Sequence, residues 1–202
     1  MSNIKIVYED DFIIVANKPP GLLTVPTPRK EKHTLSSLLK AYPAHRLDRD
    51  TSGLIILAKN KGARDFLMGE FKRRKVKKRY VAFAQGKLAK PKGVITGYLR
   101  DNPFEKPKLA RTEYKVLEYK EGFSVVEVTP VTGRTNQIRI QFKQIGHPLV
   151  GERRFAFAKD FKVKFRRTAL HSSGIEFIHP QSRKLLSFNL PLAEDMQKFL
   201  EK

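Results

Sequence analysis

His45-Arg46-Leu47-Asp48-Arg49-Asp50-Thr51-Ser52-Gly53 packs charges, hydroxyls and a glycine directly ahead of the apolar run Leu54-Ile55-Ile56-Leu57-Ala58. A short continuous apolar run after such punctuation predicts a buried strand. The polar stretch then forms the loop at the mouth of that strand, where core meets solvent. A carboxylate there is placed for chemistry. Equally, a turn rich in Asp and Ser uses those side chains to cap backbone groups. The residues alone leave both readings open.

Outward from this loop, the chain punctuates itself clearly. Upstream, apolar stretches at 4–8 and 12–16 flank Asp10-Asp11 and predict a hairpin. Asn17-Lys18-Pro19-Pro20-Gly21 predicts a turn, and 22–25 a resumed strand. Thr34 predicts an N-cap for a helix carrying Leu35, Leu38, Leu39 and Tyr42, stopped by Pro43. Downstream, Ala63, Phe66, Leu67 and Phe71 keep helical spacing, and 80–84 predicts a strand. The stretches 112–119 and 123–129 flank Glu121-Gly122 as a second hairpin. Ile138, Phe142 and Ile145 predict a helix over 135–145, with Gly146 as its stop. A short helix over 194–200 closes the pattern. No repeat or composition break divides the chain, so one domain over 1–202 is expected. Strands with interspersed helices predict an α+β fold around a mixed, largely antiparallel central sheet with flanking helices and loops.

Charge is the strongest bulk property. Lys and Arg number 41 against 20 Asp and Glu, a formal net charge of +21. Such an excess repels itself and favours a polyanionic partner. Nucleic acid fits best, because phosphate neutralisation rewards many cations together. The run Lys72-Arg73-Arg74-Lys75-Val76-Lys77-Lys78-Arg79 leads straight into a strand at Tyr80, which predicts fixed phosphate contacts rather than a loose charged loop. In a second cluster, 159–167, phenylalanines alternate with cations, the pattern of a half-buried strand.

The composition also excludes classes. There are no cysteines, so disulfides, thiol nucleophiles and cysteine zinc sites are ruled out. The five histidines, His33, His45, His147, His171 and His179, lack metal-ligand spacing, and no metal is expected. No glycine-rich nucleotide loop is present. No apolar run approaches the roughly 20 residues of a membrane helix, nor does the N-terminus hold a signal-peptide core. A cytoplasmic protein with no membrane attachment is expected.

HRLDRDTSGLIILAK resembles the catalytic motif of the RluA-type pseudouridine synthases. Other segments resemble family landmarks in the same order. Asn17-Lys18-Pro19-Pro20-Gly21 resembles the KP-x-G turn, and Lys78-Arg79-Tyr80-Val81-Ala82 the K-x-Y-x-A segment. Gly133-Arg134-Thr135-Asn136-Gln137-Ile138-Arg139 resembles G-R-T-H-Q-I-R. His147-Pro148-Leu149-Val150-Gly151 follows, then His171 with Phe177, His179 and Pro180. The resemblance runs from about Ile4 to Leu190.

It implies a pseudouridine synthase fold with a central catalytic cleft, and isomerisation of uridine in tRNA or rRNA without a cofactor. Asp48 matches the catalytic aspartate, a carboxylate able to add covalently and later leave. Arg139 matches the arginine that pairs with it, which favours the ionised form. Tyr80 matches the active-site tyrosine, and Ile138 an apolar residue beneath it. Arg46 matches an arginine that enters the space of the extruded base. Arg134, Lys78, Arg79, Arg73 and Arg74 are the candidate RNA contacts. Asn136 stands where many relatives carry histidine, which keeps an orienting role but not titration near neutral pH. Glu152-Arg153-Arg154-Phe155 departs from the usual acidic and Tyr-Gly pattern. The chain leaves no room for the N-terminal S4 domain of many relatives, so RNA recognition is expected from the catalytic domain, as a monomer without an obligate protein partner.

Two other classes compete. A non-catalytic RNA-binding protein on the same scaffold is disfavoured by the intact Asp48, Tyr80 and Arg139. A glycosidase using Asp48 and Asp50 is disfavoured because two-residue spacing does not oppose carboxylates across a sugar.

Overall fold

A computed structural model describes residues 4–102, 104–157 and 163–201. The chain divides into two compact units, the first up to Lys78 and again from His171, the second Arg79–Leu170.

In the first unit, β1 (Lys5–Glu9) and β2 (Ile13–Lys18) form the predicted hairpin. Its turn is set by Asp10, whose Oδ1 accepts from the Phe12 and Ile13 N–H groups at 2.8 and 2.9 Å. α1 (Leu35–Leu39) starts at Thr34 with a reciprocal capping box to Ser37. It ends early, because Lys40 turns left-handed at φ 49°. Leu38 is therefore exposed, and Tyr42 lies in β3 (Tyr42–Pro43) rather than on the expected helical stripe. The stretch 22–25 makes only an isolated bridge, Leu23 to Thr34, not a strand.

β4 (Ser52–Ala58) is buried at every residue, as its apolar run predicts. It pairs antiparallel with β2 and β3, and parallel with β9 (Leu170–Ile178), which in turn pairs antiparallel with β10 (Leu185–Asn189). α2 (Lys61–Lys72) is capped by the Asn60 side chain on Ala63 N–H, and its stripe Ala63 and Leu67 is buried. These two residues join Ile13, Val15, Leu54, Ile56, Ile175 and Phe177 in one core. α4 (Glu194–Leu200) buries Met196.

In the second unit, β5 (Lys77–Gln85), which starts at the boundary, β8 (Phe123–Pro130), β7 (Lys108–Lys120) and β6 (Lys92–Leu99) pair antiparallel in that spatial order. β7 and β8 are the predicted second hairpin, with β7 longer than expected at its start. α3 (Gln137–Gln144) buries Ile138 and Phe142, while Ile145 falls at its exposed C-cap and Gly146 turns at φ 81°. The helix is fixed to the strands by two glutamines one turn apart. Gln137 Nε2 donates to Arg111 O and Thr112 Oγ1, and Gln141 Nε2 donates to Ile95 O and Ala110 O. Every donor and acceptor so satisfied makes α3 a rigid platform.

Within the units the pairings between the named strands are antiparallel except β4 with β9, and the fold class is α+β with mixed, largely antiparallel strands. The cluster at 159–167 lies partly outside the described residues. Its described part, 163–167, is not a strand, and Arg167 is buried, donating to Thr168 O and Leu170 O. No described helix is long and apolar enough to cross a membrane.

Candidate active site

In the first unit the loop holding Asp48 lies just ahead of β4, and its carboxylate side chain is half-buried. The residues on either side of Asp48 are gripped by their backbones. Thr24 Oγ1 donates to Leu47 O at 2.9 Å and accepts from Leu47 N–H at 3.2 Å. Lys18 is fully buried, and its Nζ donates to Arg49 O, Pro19 O and Leu22 O at 3.0, 2.9 and 2.7 Å. A buried ammonium is tolerable when its three protons meet acceptors, and here they tie the Pro-Pro-Gly turn to the aspartate loop. Arg49 returns the contact, with Gly21 N–H donating to Arg49 O and Arg49 Nε to Gly21 O.

The exit of the loop is equally tight. Gly53 has φ 107°, and a Cβ there would sit 2.2 Å from Ser172 O on the paired strand. Ser52 Oγ meets His171 Nδ1 at 2.9 Å, both buried, so the His171 landmark locks β9 to the end of the loop. At the other end His45 Nε2 accepts from Ile56 N–H at 3.1 Å, and the ring stacks on Phe71 at 4.5 Å. Burial, with the charge of Lys78 adding, pushes the His45 imidazole down to about 3. It is a neutral structural acceptor.

Lys78 brings the basic run to this loop. Its Nζ lies 6.0 Å from the Phe71 ring that His45 stacks on, and burial lowers its ammonium to about 8. Arg73 is already engaged, capping α2 through its N–H and pairing its Nη2 with buried Glu70 at 2.7 Å. Arg74, in a left-handed turn at φ 59°, and Arg46 are exposed. The first unit thus places Asp48 and Arg46 on one loop, and joins Lys78 to its start.

In the second unit Tyr80 is nearly buried in β5, opposite Val128, and Ile138 is nearly buried on α3; Arg79 is exposed. Arg134 Nη1 pairs with Asp101 at 3.0 Å, and its N–H donates to Gln137 Oε1. Burial opposes the charge of Asp101, but Thr135 N–H and Arg134 outweigh it and hold the carboxyl below its ordinary range. Arg139 stands on the first turn of α3 with its guanidinium clamped. Its Nε and Nη2 donate to Glu152 at 2.6 and 2.8 Å, and its Nη1 donates to Asn136 Oδ1 at 2.9 Å. Phe155 lies against its face, 5.0 Å from centroid to guanidinium carbon. Asn136 occupies the N-cap position at φ 54° but makes no side-chain cap; its oxygen goes to Arg139 instead. An orienting role for Asn136 is what this geometry supports.

Two holding residues were invisible as such in the sequence. Lys18 read as part of a turn, because its partners are backbone carbonyls. Glu152 read as a departure from a pattern, although an acidic residue directly after His147-Pro148-Leu149-Val150-Gly151 in so basic a chain was the available signal. His179 is structural. Its Nε2 meets Asp10 Oδ2 at 2.9 Å, and its Nδ1 caps the Gln181 and Ser182 N–H groups in the turn to β10.

Residues 12–144 match the RNA pseudouridylate synthase family. The chain is 37% identical to the dual-specificity RNA pseudouridine synthase RluA of Pasteurella multocida, covering 94% of each chain. It is 35% identical to the protein of that name from Escherichia coli strain K12, covering 92% of each. Against the ribosomal large subunit pseudouridine synthase D of Nitrosomonas europaea it is 34% identical but spans only 64% of that longer protein. Human RNA pseudouridylate synthase domain containing 1 shares the fold, with a TM-score of 0.79 at 24% identity, over 98% of this chain and 94% of that one. A buried-strand aspartate loop, an arginine platform and these kinships converge: the chain belongs to the RNA pseudouridylate synthase family of isomerases, in its RluA-type branch.

Proposed function

We propose that this chain isomerises specific uridines of tRNA or ribosomal RNA to pseudouridine, its two units acting as one catalytic domain over residues 1–202. The supporting observation is the Asp48 loop. Its backbone is held on both sides of the aspartate by Lys18 and Thr24, which fixes the point from which the carboxylate reaches. That is the arrangement expected of a side chain that must form and release a covalent bond.

In this reading the uridine is extruded and Arg46 enters the space it leaves. Asp48 forms a transient bond to the nucleotide as the N1–C1′ bond breaks. The base rotates, C5 bonds to C1′, and C5 gives up its proton while N1 gains one. Arg139 is the cationic partner that the family resemblance assigns to the Asp48 carboxylate. The Tyr80 ring stacks on the uracil, with Ile138 supporting it, and the hydroxyl assists proton transfer. Lys78, Arg79, Arg73, Arg74 and Arg134 supply phosphate contacts. The reaction needs no cofactor, and a monomer acting in the cytoplasm suffices.

Loss of the C5 proton supplies the test. RNA labelled with tritium at uridine C5 releases it only on isomerisation. The wild-type protein is expected to release tritium from total tRNA or ribosomal RNA, and Asp48→Asn to reduce release to background with RNA affinity within about threefold. No release from either RNA pool overturns the reading; loss of binding in Asp48→Asn makes Asp48 structural.

A further inference from the structure

We infer that the turn at 27–32 is an RNA-gripping element of the first unit, presenting Arg29, Lys30 and Lys32 to phosphates of the bound RNA. The inference rests on reading RNA as the substrate, and it adds a contact surface that neither the basic run at 72–79 nor the family landmarks single out.

Thr27-Pro28-Arg29-Lys30-Glu31-Lys32 carries three cations and one anion. A basic stretch of loop is ordinarily loose, and ordering its long side chains on a partner costs entropy. Here the one anion is occupied in holding the turn together. Glu31 Oε2 accepts from Thr27 N–H, and the two Glu31 oxygens share the Thr27 hydroxyl proton, all at 2.8 Å. The same hydroxyl accepts from Arg29 N–H at 3.2 Å, and Lys30 N–H donates to Thr27 O at 2.8 Å. The Thr27 N–H above all, then the N–H of Glu31 itself and the Thr27 hydroxyl, hold the Glu31 carboxyl below its ordinary value. Arg29, Lys30 and Lys32 are exposed while Glu31 is half-buried, so the turn keeps its negative charge engaged and offers its positive charge to solvent. Lys30 is left-handed at φ 57°. Glycine or asparagine adopts that conformation more readily, yet a cation occupies it.

The turn is also tied at both ends. Lys32 O accepts from Ser37 Oγ at 2.7 Å. Upstream, Leu23 O and Thr24 O accept from the Leu35 and Ser36 N–H groups at 2.8 and 3.1 Å. Thr24 is the residue whose hydroxyl bonds Leu47, next to Asp48. Three residues separate it from Thr27, so the turn begins within about 10 Å of Thr24. Phosphate contacts set the register of an RNA without reading its bases. Cations held on a fixed turn lose less freedom on binding than cations on a loose one. An array so placed sets where the backbone near the target uridine lies.

The test compares two triple substitutions, each removing three cations from the first unit. RNA affinity is measured against salt, using whichever of total tRNA and ribosomal RNA the wild type binds more tightly. In Arg29→Gln/Lys30→Gln/Lys32→Gln the affinity is expected to fall at least about tenfold. The slope of log affinity against log salt should become shallower by about 2, at roughly 0.7 per lost contact to a single strand. In Lys5→Gln/Lys61→Gln/Lys184→Gln the affinity should stay within about threefold. Equal losses in the two triples mean that net charge alone acts, and overturn the inference. Single-turnover tritium release at saturating RNA should stay within about twofold in the turn triple, because a phosphate grip serves ground state and transition state alike. A slowed turnover at unchanged affinity overturns it as well. Glu31→Ala gives the opposite sign to a charge effect. It adds one unit to the net charge but removes the clamp, so a fixed turn predicts weaker binding, by about threefold or more. Unchanged or tighter binding overturns the fixed turn. If the wild type releases no tritium while the turn triple alone loses affinity, the proposed isomerisation fails and this inference stands. A wild type that binds neither RNA pool overturns the inference outright.

Discussion

Asp48 in the first unit and Arg139 in the second are held in opposite ways. Asp48 is fixed through the backbone on either side of it, by Lys18 on Arg49 O and by Thr24 on Leu47. Arg139 is fixed through its own side chain, by Glu152, Asn136 and Phe155. The difference suits the roles proposed for the two residues. Backbone bonds on either side set the place of the aspartate whatever its carboxylate does, so this support acts one residue away. A guanidinium proposed to pair with charge tolerates a direct grip on its side chain. Both supports end on a glycine with no room for a side chain, Gly53 after the first loop and Gly151 before Glu152.

The largest expected effect is at Gly53. An alanine there combines a left-handed φ with a methyl group driven into the paired strand, 2.2 Å from Ser172 O and 2.7 Å from Ser172 N. Strain and displacement of a strand together should destabilise by about 4 kcal/mol. Gly21 is the matched control. Its φ is 83°, but nothing lies within 4 Å of its added Cβ. Gly21→Ala should cost only about 1 kcal/mol. Comparing the two melting transitions separates strain from close approach. Equal losses would mean that the β4–β9 contact does not confine the loop.

Lys18→Met comes next. It strands the carbonyls of Pro19, Leu22 and Arg49 in a buried place, with an expected loss of about 3 kcal/mol, since each unmet acceptor costs on the order of 1 kcal/mol or more. If the backbone grip positions Asp48, turnover in the protein that remains folded should fall roughly tenfold with RNA affinity little changed. Unchanged turnover per folded molecule would break the contrast between the two units, leaving Lys18 a purely structural staple.

The contrast also explains what the sequence disclosed. β4 and α2 were legible because a buried strand and an amphipathic helix write their burial into consecutive residues. β6 was missed. Its glycines, Gly93 and Gly97, sit at the positions where an apolar side chain would have marked the face that packs on α3. α1 was overextended, because Lys40 adopts a left-handed turn that nothing in its side chain advertises. Asp48 and Arg139 are singled out in the sequence by motif order alone. Their holders are not, for Lys18 and Thr24 act on carbonyls, and Glu152 meets Arg139 only once the HPLVG segment lies along β5.

The smallest effect is acid sensitivity, and it sharpens the comparison by its pH window. His45 in the aspartate loop has its folded pKa pushed from 6.5 to about 3, so below 6.5 the unfolded chain binds a proton that the folded one refuses. Its contribution is full above 6.5 and drains away as the pH falls toward 3. Glu152 has a folded pKa below its ordinary 4.5, so its contribution is full above 4.5 and is lost only as the pH falls through that lower folded value. Between pH 6.5 and 5.5 only the first unit's holder is affected, by about 1 kcal/mol, or a few degrees in the melting temperature of a chain this size. His45→Gln, which keeps an acceptor for Ile56 N–H, should flatten that interval while leaving the loss below pH 4.5 in place. If the slope between pH 6.5 and 5.5 survives the substitution, His45 is not the group that ties the aspartate loop to neutral pH. The backbone grip on Asp48 would then be indifferent to protons, as the carboxylate clamp on Arg139 is until far greater acidity.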